Sequence, residues 1–238
     1  MSTYVYGIAR AGRPASRKPL RGIGDPPHPV RTVEADGLAA LVSDCPDQLR
    51  AKRRDLLAHQ SVLAEAGADG PVLPLRFGSL SESDDAVRAV LTERAGHYRQ
   101  RLEALDGRVE YNVKAAHREE AVLRQVLEEE PAVRTLNESC RAAGGGSYQE
   151  RLRLGEMVAQ AVRAREVSDA RAVRDALRPH AEAEQDGPGG DKRLLDVSFL
   201  VARERAEAFL AAARSVESGH ARLELTVTGP LPPYSFVE

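Results

Sequence analysis

Few side chains here have the types and spacing that chemistry at a site requires. His59 shares a helical face with Leu56 and Leu63, which predicts a partly buried ring, and no second histidine stands at ligand spacing to share a metal with it. A hydrogen-bonded structural histidine is therefore the expectation. His117-Arg118-Glu119-Glu120 sets acid and base side by side at a strand-to-helix junction. Carboxylates in a first helical turn answer the positive end of the helix dipole, which accounts for Glu119 and Glu120 without catalysis. Ser79, Ser81 and Ser83 stand outside any GxSxG context. The two cysteines, Cys45 and Cys140, are far apart, with no CxxC and no histidine at ligand spacing, so neither a disulfide framework nor a zinc site is suggested. Gly144-Gly145-Gly146-Ser147 precedes a helix but has no P-loop lysine and does not make GxGxxG. It reads as an interhelix linker. The chain offers no nucleophile, metal-ligand set or cofactor loop, and the expectation is a protein with no catalytic residues, no metal and no cofactor.

The bulk composition narrows the partners. The 34 basic and 36 acidic residues nearly cancel, to a formal net charge of −2, and they are interspersed along amphipathic segments as solvated helical faces would be. Nothing in that balance argues for nucleic acid, and at 4% aromatic with no tryptophan the chain has little to stack on bases. No apolar run approaches the roughly 20 residues of a membrane span. MSTYVYGIAR opens on a strand pattern, not on the basic start and apolar core of a signal peptide. A cytoplasmic location with reduced thiols and no membrane partner is expected.

At 238 residues the chain is long enough for two small domains. Tyr4 to Ala9 alternates as a strand, and Arg10 to Pro29 is a Pro/Gly/Arg-rich surface loop. Asp36-Gly37 between Val30–Glu34 and Leu38–Ser43 predicts a hairpin, because both residues tolerate positive φ. A helix from Pro46 to about Ala66 follows, then a strand in Pro71 to Gly78, where Pro74 requires a sheet edge or an irregularity. One amphipathic helix, capped by Ser83, is expected to run to Leu105. This describes an α+β layer of modified ferredoxin-like type, residues 1–106, with one face of its sheet covered by helices. Residues 107–238 form a helix-rich α+β domain with a small antiparallel sheet. Its elements are a strand from Val109 with Glu110, Asn112 and Lys114 on the wet face, helices over Glu119–Glu129, Pro131–Arg141 and Tyr148–Leu177, and a turn at Gln185–Gly190. Strands at Leu195–Val201 and Leu223–Val227 enclose a short helix over Ala206–Val216. The apolar tail, 229–237, is expected to pack back on the body, or to be an interaction surface if it does not.

Several of these segments, taken in order, resemble one family. Tyr4-Val5-Tyr6-Gly7-Ile8, Ala58-His59-Gln60-Ser61-Val62-Leu63, the LPLRFG of Leu73 to Gly78, Glu110 to Lys114, Arg153-Leu154-Gly155-Glu156 and the GPLPPYSFV of Gly229 to Val237 are similar to motifs of the gas vesicle accessory proteins GvpF and GvpL. LPLRFG and PPYSFV are the specific ones. Tyr111-Asn112 stands where that family commonly has Trp-Gly, and Leu231 where it commonly has Trp.

The resemblance implies a non-enzymatic role in gas vesicle assembly. The main shell subunit of those organelles is small and very hydrophobic, and unassembled copies aggregate. The expected partners are that subunit and other accessory proteins, at the vesicle shell or in the cytoplasm, with a place as a minor shell component also implied. Candidate partner-binding residues are Arg76 and Phe77 at the sheet edge and Leu231, Pro232, Pro233, Tyr234 and Phe236 in the tail; for Phe77 the core reading is preferred. The rival readings are a small-molecule enzyme with a pocket between the two domains and a generic scaffold module.

Overall fold

Asp36 and Gly37 both take left-handed backbone, φ 48° and 73°, and join β2 (Arg31–Ala35) to β3 (Leu38–Asp44) as the Asp-Gly signal requires. This hairpin pairs with β1 (Thr3–Arg10), and β1 pairs on its other side with β4 (Val72–Pro74) and β5 (Leu80–Ser81), antiparallel throughout. The order β2-β3-β1-β4 is that of a ferredoxin-like sheet, with a loop where the helix between the first two strands would stand. The computed structural model describes residues 2–12, 19–68, 70–188 and 193–237. Parts of the expected surface loop, residues 13–18, and of the Gln185–Gly190 turn, residues 189 and 190, lie outside them.

α1 (Arg53–Ala66) sets Val62 and Leu63 against Tyr4, Tyr6, Leu41 and Val72. α2 (Asp84–Glu93) packs on β2 and β3, and α3 (Ala95–Ala104) on β1 and β4. Six consecutive residues are buried in β1 and six in β3, so these central strands are covered on both faces, not on one as the sequence suggested. Two helices differ from expectation. α1 begins at Arg53, because the stretch after Pro46 stays irregular while Leu49 packs against the core. The Ser83-capped helix breaks at Arg94, whose φ −107° and ψ 17° leave the helical region just before Gly96, a poor helix former.

The chain divides into two compact units, 1–110 with 229–238, and 111–228. The tail thus belongs with the first unit, whereas reading along the sequence attached it to the second. The reason is packing: Tyr234 joins the Tyr4 and Tyr6 core. The second unit comprises α4 (Glu119–Glu129), α5 (Pro131–Ala142), α6 (Tyr148–Leu177), α7 (Ala206–Gly219), β7 (Ala183–Asp186) and β8 (Leu195–Ala202), with most of β6 (Arg108–His117) and β9 (Leu223–Leu231) in the order β7-β8-β6-β9. β7 takes Gln185 and Asp186 from the expected turn; it is short, polar and at the sheet edge, so it carries no apolar alternation to read. Ser147 caps α6 through a reciprocal capping box with Glu150, and Gly144 to Gly146, all at positive φ, form the linker before it. Tyr111 stacks on Phe209 with centroids 5.3 Å apart, and Asn112 Nδ2 donates to Asp196 Oδ1 at 3.0 Å. Both departures from the family pattern in β6 are thereby accommodated.

β1 admits no side chain at Gly7: an added Cβ would stand 2.7 Å from Leu63 Cδ2 and 2.8 Å from the Leu73 carbonyl oxygen. Gly7→Ala is expected to destabilise the fold by about 1–3 kcal/mol, read as a lower urea midpoint at unchanged slope.

Candidate functional site

Tyr4 and Tyr6 project from the central strand into the core and are fully buried. A buried phenol needs a hydrogen-bond partner. Tyr4 Oη donates to His59 Nδ1 at 2.8 Å and accepts the Gly78 amide at 3.2 Å, while His59 Nε2 donates to the Leu75 carbonyl at 3.1 Å. A carbonyl only accepts, so the proton of the neutral ring sits on Nε2 and Nδ1 is the acceptor. Both nitrogens are used, and the ring is 3% exposed. This is the structural histidine expected from the helical pattern. Burial holds its pKa below the ordinary value of 6.5 and raises that of Tyr4. Tyr6 acts in parallel: its hydroxyl meets Ser43 Oγ at 2.9 Å and accepts the Ile23 amide at 2.9 Å.

The two groups that Tyr4 and His59 hold, the Gly78 amide and the Leu75 carbonyl, belong to the turn from Leu75 to Ser79. Further bonds complete its attachment. Leu75 N donates to Tyr6 O at 2.8 Å, Ser79 N and Oγ both donate to Arg76 O at 3.1 and 2.8 Å, and Val5 N donates to Ser79 O at 3.0 Å. Gly78 sits at φ 93°, a region a side chain would disfavour. Phe77 is half-buried and packs edge-on against the rings of Tyr4 and His59, each 5.8 Å away. Arg76 is exposed, and its guanidinium makes no hydrogen bond or ion pair among the described residues. Pro74, just before the turn, ends the edge strand β4, one of the two placements its missing N–H allows.

The tail closes on the same core. Pro233 is buried, and Leu231, Pro232, Tyr234 and Phe236 are half-buried. Ser235 donates from both N and Oγ to the Glu110 carboxylate, at 2.8 Å each, and the Arg101 guanidinium donates to Phe236 O. Burial, with the Glu110 carboxylate nearby, pushes the Tyr234 phenol up to about 12. Glu110 was expected on a wet face and is only 4% exposed, because its carboxylate is the tail's anchor. Of the candidate residues, then, Phe77 and Tyr234 are brought to one cluster around Tyr4, and Arg76 alone is left fully in solvent. Two residues escaped the sequence reading. Tyr4 gave a signal, as one of two tyrosines spaced i, i+2 in an apolar strand; Glu110 gave none.

In the second unit, His117 of the suspected acid/base cluster donates from Nε2 to Asp169 Oδ2 at 2.8 Å, and Arg222 Nε reaches the same oxygen at 2.7 Å. Burial would raise the Asp169 pKa, but the hydrogen bonds from Arg222 and His117 outweigh it and hold the carboxyl below its ordinary value. Glu119 and Glu120 lie in the first turn of α4. Among the described residues no three His, Cys, Asp or Glu side chains are grouped to hold a metal ion.

The model of the family described as gas vesicle synthesis protein GvpL/GvpF matches residues 2–238. The chain is also 58% identical, over the whole of both chains, to gas vesicle protein F of a Streptomyces species. It belongs to the GvpL/GvpF family. To gas vesicle protein L of the same Streptomyces it is 31% identical, over 98% of this chain and 91% of that one. The crystal structure of gas vesicle protein GvpF from an Anabaena species superposes with a TM-score of 0.80 at 24% identity, covering 100% of this chain and 98% of that one. That likeness shows that the α+β fold is the one found in a solved GvpF. Among the described residues of this GvpL/GvpF family member, no helix is long and apolar enough to cross a membrane.

The clamp makes stability depend on pH. The folded His59 pKa lies below the unfolded 6.5, so its contribution is complete above about pH 6.5 and is lost as pH falls through the folded value. Urea titrations from pH 7.5 to 5 are expected to show a stability advantage of the wild type over His59→Gln that shrinks toward acid; a constant difference would contradict the neutral buried ring. Deleting Pro232 to Glu238 removes the Tyr234 packing and strands the Glu110 carboxylate, so the melting temperature is expected to fall by several degrees, about what 1–3 kcal/mol gives. A truncated chain melting like the full one would place the tail outside the core.

Proposed function

We propose that this chain supports gas vesicle assembly without catalysis, by binding the small hydrophobic shell subunit, directly or together with other accessory proteins, and keeping it from aggregating before it joins the shell. A place in the cytoplasm during assembly, and at the shell surface as a minor component afterwards, goes with that role. Membership of the family supports the assembly role. The turn from Leu75 to Ser79 supports the binding: a buried tyrosine and a buried histidine are devoted to fixing it, and what it presents is an unpaired arginine. Rigid presentation of an unpaired polar group lowers the ordering cost of binding and has no comparable value for folding. Phe77 supports the turn from beneath, through its contacts with Tyr4 and His59. Tyr234 of the tail completes the core beneath it, and Leu231, Pro232, Pro233 and Phe236 offer the same partner whatever part of them is left at the surface.

The test is co-expression of the tagged chain with the shell subunit of its own cluster. Shell subunit is expected to co-purify in soluble form, against an insoluble control expressed alone. Its remaining insoluble with or without the other accessory proteins would remove the binding role.

A further inference from the structure

The outer side of α1 carries charges that its own fold does not call for. Arg50, Lys52, Arg53 and Arg54 crowd the start of the helix, where the dipole favours anions and cations cost stability. Arg54 is taken up by Asp25 and Asp55. Arg50, Lys52 and Arg53 are exposed and form no ion pair among the described residues, and Asp47 is the one nearby carboxylate also left unpaired. Directly after them Leu56 and Leu57 are 38% and 54% exposed. Leu56 lies one helical turn before His59, the residue whose ring holds the carbonyl of Leu75 and so fixes the turn that presents Arg76. Lys52 and Leu56, spaced i, i+4, thus lie on the flank of α1 next to the clamp, while Arg53 and Leu57 face further outward.

We infer that Arg76, together with Lys52 and Leu56 on the flank of α1 beside His59, forms a docking surface for a protein segment that carries carboxylates beside an aliphatic side chain. Charge complementarity selects that occupant. A guanidinium held on a rigid turn suits the planar, two-point geometry of a carboxylate, the α1 cations steer and orient an acidic segment, and Leu56 offers it a short apolar seat. Nucleic acid fits poorly, since the cations are few and no exposed aromatic accompanies them. The inference rests on the assembly reading and specifies where and how the partner is held.

The deciding experiment compares the full-length wild type, Arg76→Glu, the pair Lys52→Glu with Leu56→Ser, and a control, Arg163→Glu, at an exposed position on α6. Each is co-expressed with the shell subunit and accessory proteins of its cluster. Retained shell subunit is expected to fall about tenfold or more for the first two variants and less than twofold for the control, with unchanged melting temperatures; wild-type retention weakens between about 0.05 and 0.5 M salt. Arg76→Lys, which keeps the charge and loses the fork, falls between. Retention by the wild type and by Arg76→Glu alike overturns the docking surface and leaves the assembly role standing. No retention by the wild type overturns both. Flotation with phosphatidylserine vesicles that Arg76→Glu abolishes, with retention unaffected, assigns the surface to lipid and overturns it as well.

Discussion

The hydrogen bond from Tyr4 to His59 is the constraint on which the first unit depends. Its two partners come from the central strand and from α1 and are buried, so water cannot replace either if the other moves. Removing one leaves a buried polar group unmade, at about 1–3 kcal/mol, and the remaining bonds tie that cost to the turn. With Tyr4 accepting from Gly78 and His59 donating to Leu75, strand, helix and turn can shift only together. The same requirement favours the neutral ring: a second proton, on Nδ1, would turn the Tyr4 oxygen into its acceptor and leave the buried Tyr4 O–H without that partner.

Tyr4 also explains why segments remote in sequence belong to one structural object. Its ring is met by Tyr6 from its own strand, His59 from α1 and Phe77 from the turn, and Tyr234 of the tail enters the same cluster. Four of the six stretches that resemble the family thus surround one side chain. The tail closes the set through Ser235 on Glu110, which is why a segment at the end of the chain folds with its beginning.

Much of this was legible in the sequence where a local physical rule applies. Asp36-Gly37 fixed the hairpin because few residues tolerate its backbone, Pro74 confined β4 to an edge, and Ser83 capped α2, accepting from the Ala86 amide. The helical spacing of His59 against Leu63 was enough to expect a buried ring. What was not legible depends on partners distant in the chain. Glu110 looks solvated in its strand until the tail arrives, and Asp169 gives no local sign that it lies between His117 and Arg222. The tail was assigned to the wrong half of the chain for the same reason, since contiguity in sequence says nothing about which core a terminal strand's extension will reach. Arg76 was singled out by resemblance alone. Its physical distinction, an anchored backbone under an unpaired side chain, exists only once Tyr4, His59 and Ser79 are in place.

The placement of the tail bears on how the proposed binding of a very apolar subunit would work. Had Tyr234 and Phe236 been displayed in solvent, they would have offered the partner an apolar grip and would have offered every other copy of this chain the same one, since exposed aromatic patches associate without selectivity. With Tyr234 packed against the Tyr4 core and Phe236 half-buried, they serve stability, and beside the α1 cations the surface offers the aliphatic exposure of Leu56 and Leu57. On the assembly reading, discrimination then comes from charge and geometry, and a small apolar seat adds affinity without inviting self-association. On that reading the surface binds while carboxylates are within reach of Arg76 and releases when they are taken up elsewhere. That behaviour would suit the proposed role, in which cargo is handed to a growing shell, more than it would suit a tight, purely hydrophobic binder.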